Sequence, residues 1–310
     1  MIPGALQQAV TLAVANRLGG THRIVRIEPC GGGCINRAAR LTLDNGLTLF
    51  LKWNDCAPPR MFAAEAEGLR LLRKPLVEAG IGLRVPEPWA HSERCDECPA
   101  FLLMEDLIAA SNGTDTNGAV SEQADHILAQ GLAAIHRFTS DQFGLDHDNF
   151  IGSTPQVNGR TQSWAEFFLE RRLRAMLSLL AKRGALPKRV ASLAERSLPN
   201  MGRLLESVTA LPSLVHGDLW GGNVLKPPSG FPALIDPAVY FGDREVDLAM
   251  TELFGGFSRG FRLAYESSFP LSDGYVVRKD IYNLYHILNH ALLFGGGYMA
   301  QAEAIMSRFA

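Results

Sequence analysis

The segment Val215-His216-Gly217-Asp218-Leu219-Trp220-Gly221-Gly222-Asn223-Val224 constrains this chain more than any other stretch. It sets an aspartate and an asparagine five positions apart, and a second aspartate, Asp236, ends the short apolar run Ala233-Leu234-Ile235. Each of the three alone is an ordinary turn or capping residue. At this spacing, between apolar segments, they supply the parts needed to move a phosphoryl group. Asp218 is the carboxylate that accepts a proton from an attacking hydroxyl. Asn223 and Asp236 are oxygen donors that hold Mg²⁺ on the phosphates of a nucleotide.

The spacing matches the kinase pattern H-x-D-x-x-x-x-N followed by a metal-binding aspartate. Gly217 stands where protein kinases carry arginine, and Asp236-Pro237-Ala238 stands in place of Asp-Phe-Gly. Both departures point to small-molecule kinases of the same fold. The rest of the chain agrees. Apolar periodicity predicts a helix over 4–18, a strand from Ile24, alternation up to Leu43, and a hairpin turn at Asp44-Asn45-Gly46. A strand over 47–53 carries Lys52, and a helix over 61–79, broken or kinked near its end by Pro75, carries Glu65. Strands near 85–90 and 100–104 follow. Beyond a Gly/Ser/Asn/Thr-rich stretch at 110–118 the pattern turns helical: 121–140, 163–183, 187–208, from Val246, near Phe257 and 279–293. The fold class expected is α+β, a protein-kinase-like two-lobed fold. Residues 1–107 form a small antiparallel-sheet nucleotide lobe, and residues 108–310 a larger, mostly helical lobe for catalysis and the acceptor.

Within the first lobe, Gly31, Gly32 and Gly33 sit in a strand–turn–strand. There, backbone N–H groups can approach phosphate oxygens without a Cβ in the way, though three glycines also make a plain turn. Lys52 is placed to reach the α- and β-phosphates of ATP, with Glu65 as its ion-pair partner and Glu67 as the alternative on another helical face. Glu105, Asp106 and Leu107 leave the apolar strand Phe101-Leu102-Leu103-Met104, where backbone groups would meet the adenine edge. Asp247 is either an N-cap or a buried carboxylate that braces the catalytic loop. Trp220 is either an apolar floor under a sugar or a core tryptophan.

Bulk properties narrow the class. The 310 residues are 47% apolar and 20% charged with net charge −2, so neither disorder nor a nucleic-acid partner is expected. The start of the chain has no basic region followed by a long apolar run, so neither export signal nor membrane span is expected, and the location expected is cytoplasmic. Five cysteines, an odd number, fit a reducing compartment. Cys95 and Cys98 form one C-x-x-C with no second pair nearby, which reads as a turn before it reads as a zinc site.

Several segments resemble the fructosamine-3-kinase (ketosamine-3-kinase) family. They are Gly31 to Asn36, Phe150 to Gln156, Trp164 to Phe168, His216 to Asn223, Leu234 to Met250 and Tyr282 to His290, and the likeness spans essentially the whole chain. The resemblance implies an ATP- and Mg²⁺-dependent kinase that phosphorylates the C3 hydroxyl of ketoamines, small or protein-bound, and so leads to deglycation. It implies no membrane or nucleic-acid partner. Tyr285 and His290 fall on one helix and, with Trp220, are candidate acceptor-binding residues. Cys34 follows the glycines of the nucleotide turn, where an exposed thiol would be open to oxidation and to a redox-linked homodimer; otherwise a monomer is expected. The rival readings are an aminoglycoside- or choline-type phosphotransferase and a nucleotide-binding pseudokinase scaffold.

Overall fold

The computed structural model describes residues 2–31, 36–108, 122–226 and 230–310. Gly32, Gly33, Cys34 and the 110–118 stretch therefore lie outside the described residues. The chain divides into two compact units, Met1–Gly131 with Asn223–Pro237, and Leu132–Gly222 with Ala238–Ala310. The first unit thus runs past the expected division at 107/108 and also takes in the later segment 223–237, expected in the second lobe.

The first unit is a five-stranded antiparallel sheet with a helix on its apolar face. Helix α1 (Gly4–Leu18) precedes β1 (Ile24–Cys30), β2 (Arg37–Leu43) and β3 (Thr48–Asn54); α2 (Met61–Ala79), β4 (Pro88–Ser92) and β5 (Ala100–Glu105) follow. The strand order is β1-β2-β3-β5-β4. The two-residue period of a strand puts Ala39, Leu41 and Leu43 of β2 and Leu49, Leu51 and Trp53 of β3 in one core, which Leu6, Val10 and Val14 of α1 close at helical spacing. Lys52 lies on the opposite face of β3. The β2–β3 turn is the expected one: Gly46 has φ 84°, and its N–H donates to the Leu43 carbonyl at 2.9 Å. Pro75 does not break α2. Leu69, Leu72, Pro75 and Leu76 are all buried, and that burial outweighs the one backbone hydrogen bond a proline removes. The helix ends instead at Gly80, in the left-handed conformation.

The second unit is mostly helical. After α3 (Glu122–Arg137) come β6 (Asn149–Ile151), β7 (Thr154–Gln156) and α4 (Trp164–Glu166), which continues through a π-helical stretch, Phe167–Arg174, into α5 (Ala175–Lys182). Then follow α6 (Lys188–Glu206), β8 (Ser213–Val215), the strands β9 (Val224–Leu225) and β10 (Ala233–Leu234), which belong to the first unit, and then β11 (Tyr240–Gly242), α7 (Glu245–Leu253), α8 (Arg259–Ser268), α9 (Tyr275–Phe294) and α10 (Tyr298–Ser307). Ile281, Leu284, Ile287 and Leu288 of α9 lie in the central core with Phe167, Phe168, Leu198, Met201, Ala302 and Met306. Among the described residues no helix is long and apolar enough to cross a membrane.

Two short pairings place the loops of interest. In the second unit β8 pairs antiparallel with β11, Val215 opposite Tyr240. In the first unit β9 and β10 form a hairpin that docks at Arg84: the Arg84 N–H donates to the Pro232 carbonyl, and the Leu234 N–H to the Arg84 carbonyl, both at 2.9 Å. That docking delivers Asp236 to the first unit.

Candidate active site

In the first unit one ammonium gathers two carboxylates. Lys52 is only 7% exposed. Its Nζ donates to Glu65 Oε1 at 2.7 Å and also to Asp236 Oδ1, 184 residues along the chain. Burial would favour the neutral amine, but Asp236 and Glu65 outweigh it and hold Lys52 above the ordinary lysine value, so it is charged. Burial pushes the Glu65 carboxyl up, against the pull of Lys52. Glu67, the alternative partner, lies instead 3.5 Å from Arg60. Asp236 has φ 54°, a left-handed conformation rare for a residue with a side chain, and is half exposed. Asn223 is buried and closes the 3₁₀ turn Gly221–Asn223; its carbonyl accepts from the Ile235 N–H at 3.1 Å. Gly31 is exposed just beyond β1.

The end of β5 is tied down by its side chains. Glu105 pairs with Arg84 and lies 3.7 Å from Arg73, Asp106 pairs with Arg40, and Leu107 is 3% exposed. The Glu105 N–H donates to the Glu87 carbonyl. The Glu105 and Asp106 side chains therefore hold the scaffold, and a ligand here is left with main-chain groups.

In the second unit the loop that carries Asp218 is held from beneath. Asp247, 1% exposed in the first turn of α7, accepts from the His216 N–H at 2.7 Å and the Gly217 N–H at 2.9 Å. It also accepts from His136 Nε2 at 3.1 Å, and the other ring nitrogen of His136 bonds the Tyr265 hydroxyl at 2.7 Å. Asp247 is thus a brace and not an N-cap; Arg244 occupies that position. Burial would raise the Asp247 carboxyl, but these donors outweigh it and hold it below the usual range. Burial holds His136 below the usual imidazole value despite Asp247. Gly217 has φ 80°, and a Cβ there would lie 2.1 Å from the Ala238 carbonyl oxygen. Nothing in the local sequence marks His136 or Tyr265 as parts of this brace. Each is an apolar-face residue of an ordinary helix, and their partners lie 111 and 129 residues away.

Trp220 is 40% exposed, so it is no core tryptophan. Its indole lies over Gly222, where a Cβ would come within 2.3 Å of the ring, and its edge meets Phe254 at 6.4 Å between centroids. Gly255 and Gly256 pack on Gly221, which brings Phe254 to that position. His290 packs its ring on Phe254 at 4.7 Å, and its Nδ1 donates to the His286 carbonyl at 2.9 Å, which leaves Nε2 as an acceptor. Tyr285 is turned inward: it is 2% exposed and its hydroxyl donates to Gln156 at 2.9 Å. Gln156 and Asn149 in turn donate to the Ala238 and Val239 carbonyls at 3.0 and 2.8 Å. Tyr285 therefore supports the backbone that follows Asp236-Pro237, which leaves Trp220 and His290 as the acceptor candidates.

Cys95 and Cys98 form a turn closed by the Cys95 N–H on the Cys98 carbonyl at 2.9 Å, and both thiols are free. Among the described residues no group of three or more His, Cys, Asp or Glu side chains gathers as a metal cage. The amide of Asn223 and the carboxylate of Asp236 are hard oxygen donors, too few for a cage of their own. That set suits Mg²⁺, which takes one or two protein oxygens and completes its shell from phosphates and water.

A family model described as fructosamine kinase matches residues 6–310. A probable ketoamine kinase of Synechocystis sp. is 40% identical over 303 residues, which cover 97% of this chain and 96% of that protein. A chloroplastic protein-ribulosamine 3-kinase of Arabidopsis thaliana is 36% identical, over 94% of this chain and 84% of that one. The crystal structure of a candidate fructosamine-3-kinase from Haemophilus somnus 129PT superposes with a TM-score of 0.82 at 28% identity, over 97% of this chain and 96% of the other.

Proposed function

Because this chain belongs to the fructosamine kinase family, with its protein-kinase-like fold, we propose that it uses ATP to phosphorylate the C3 hydroxyl of ketosamines. The acceptors are ribulosamine and fructosamine adducts of amines, including those of protein lysines. The observation that carries the phosphate side is the buried Lys52 ammonium shared by Glu65 and Asp236. Three sequence-distant groups converge there as a strand-lysine, helix-glutamate pair with a metal-type aspartate, the set that orders a nucleotide's phosphates in this fold. Residues 1–107 serve the nucleotide and 108–310 the acceptor and the chemistry, with Asn223 and Asp236 as exceptions.

Each residue has one task. Lys52 binds the α- and β-phosphates, and Glu65 keeps it in place. The glycines from Gly31 onward offer N–H groups to the phosphates, and the main chain of 105–107 meets the adenine. Asn223 and Asp236 would hold Mg²⁺, which would supply positive charge against the nucleotide's phosphates. Asp218 takes the proton of the C3 hydroxyl, whose oxygen bonds the γ-phosphorus as the bond to the β-phosphate oxygen breaks. Positioning matters more here than basicity, because the loose transition state releases the proton late. Trp220 and His290 bind the acceptor, the indole under a sugar face and Nε2 accepting from a hydroxyl. The product is poised to fragment. The C2 carbonyl acidifies C1–H, the enol expels phosphate from C3, and water then frees the amine and a deoxydicarbonyl. ATP dependence supports a cytoplasmic setting.

The test is ADP release with ribulosamine, fructosamine and kanamycin as acceptors. Turnover on a ketosamine and none on kanamycin is expected; the reverse order returns the reading to an aminoglycoside phosphotransferase. In parallel, Asp218→Asn is expected to lose at least about 10²-fold in kcat while it still binds ATP. Undiminished cellular function of that variant would mark a scaffold.

A further inference from the structure

His286 stands one turn before His290 on α9 and has no task in the proposed phosphoryl transfer. Its ring is 3% exposed, yet its Nδ1 has no hydrogen-bond partner. Leaving a buried imidazole nitrogen unpaired costs stability, and buried polar atoms in folded proteins are rarely left so without a functional reason. The neighbourhood supplies one: Nδ1 lies 3.9 Å from Asp218 Oδ1, and both groups belong to the second unit. That separation is about 1 Å longer than a hydrogen bond, the kind of looseness that free enzymes show at catalytic contacts.

The charge state is set by the surroundings. Burial, with His290 on the same helix and Arg172 of the π-helical stretch adding to it against the pull of Asp247 on α7, lowers His286 to about 3. The imidazole is therefore neutral at physiological pH and carries a single N–H. A neutral donor leaves the negative charge of Asp218 in place, whereas an imidazolium would offset it.

We propose that His286 is a positioning residue for Asp218: in its Nδ1–H form it closes onto one carboxylate oxygen when the acceptor alcohol is bound and turns the other oxygen toward the alcohol's proton. The hydroxyl proton goes to that second oxygen, the alcohol oxygen bonds the γ-phosphorus, ADP leaves, and His286 keeps its own proton throughout. The inference rests on Asp218 being the base.

The experiment compares His286→Leu, His286→Met and His286→Asn with Asp218→Asn, measuring kcat, KM for ATP and melting temperature. Without the donor, the leucine and methionine variants should lose roughly tenfold to a hundredfold in kcat with KM for ATP unchanged within about twofold. Their melting temperatures should hold or rise, because an apolar side chain removes the unpaired nitrogen. A packing role would instead lower melting temperature and kcat together. Asparagine keeps an N–H at similar reach and should restore kcat to within about threefold. Full kcat in a folded leucine or methionine variant overturns the proposal, as does an asparagine variant no better than they are. Turnover that survives Asp218→Asn removes the base and the inference with it; turnover lost there but kept without the His286 donor overturns the inference alone.

Discussion

Lys52 shows what a charge requires when a sheet and a helix bury it. At 7% exposure an ammonium is stable only beside carboxylates, and Glu65 and Asp236 both supply one. Removing the lysine strands Glu65 in a site that already pushes its carboxyl up. Lys52→Met should therefore lose about 3 kcal/mol of stability and at least about 10²-fold in kcat/KM for ATP. Lys52→Met with Glu65→Leu removes both charges, so it should recover most of the melting temperature and none of the activity. Recovery of activity in the double variant would show that the pair is structural only. The Lys52–Glu65 ion pair was legible in the sequence because both residues stand at a short, fixed distance from a turn or strand end. His136, Tyr265 and His286 were not. Their identity as helix residues is local, but their partners are set by packing over more than 60 residues of intervening chain.

Among the elements, the turn at 215–223 depends on glycines for two different reasons. Gly217 has φ 80° and its missing Cβ makes room for the Ala238 carbonyl; Gly222 has ordinary φ and makes room for the Trp220 indole. Gly217→Ala must shift backbone that Asp247 holds, so a loss of about 3 kcal/mol and a kcat reduced at least tenfold are expected. Gly222→Ala displaces a half-exposed ring, so melting should change by only about 2 °C while KM for the ketosamine rises several-fold and KM for ATP does not. Equal effects of the two substitutions on KM for ATP would refute this division. Most elements matched their periodicity, α1 and α2 to the residue, because amphipathic spacing is written locally. The rest was decided by tertiary context. Pro75 and Pro199 lie inside helices that continue because their apolar faces are buried. The π-helical stretch Phe167–Arg174 turns Arg172 inward, where it stacks 4.0 Å from Tyr240 and donates to the Val157 carbonyl at 2.6 Å. β6 and β7 are three residues each, too short for alternation to register.

For the molecule as a whole, the buried titratable groups set how stability varies with pH, and they do not all act in one direction. His286, lowered to about 3, binds its proton far more readily in the unfolded chain, where its value is near 6.5. Stability from a depressed histidine is complete above about pH 6.5 and falls by about 1.4 kcal/mol per unit as acid is added, down to the folded value. His136 is lowered too and adds to that loss. Asp243 opposes them. Burial first, and the neighbouring Glu245 second, push it up to about 6, despite the Tyr282 hydroxyl that donates to it at 2.8 Å. The folded state therefore takes up a proton there between about pH 6 and the ordinary carboxylate value, which stabilises it as pH falls. Four lowered histidines, His91, His136, His286 and His290, stand against two raised carboxyls, Asp243 and Glu65, so melting temperature should decline as pH falls from about 6 to about 4.5. His286→Asn removes one histidine and should flatten that limb, whereas Asp243→Asn removes the opposing group and should steepen it. A His286→Asn curve parallel to that of the parent protein would mean that the imidazole is not held neutral, and with that the charge state on which the positioning of Asp218 depends would be lost.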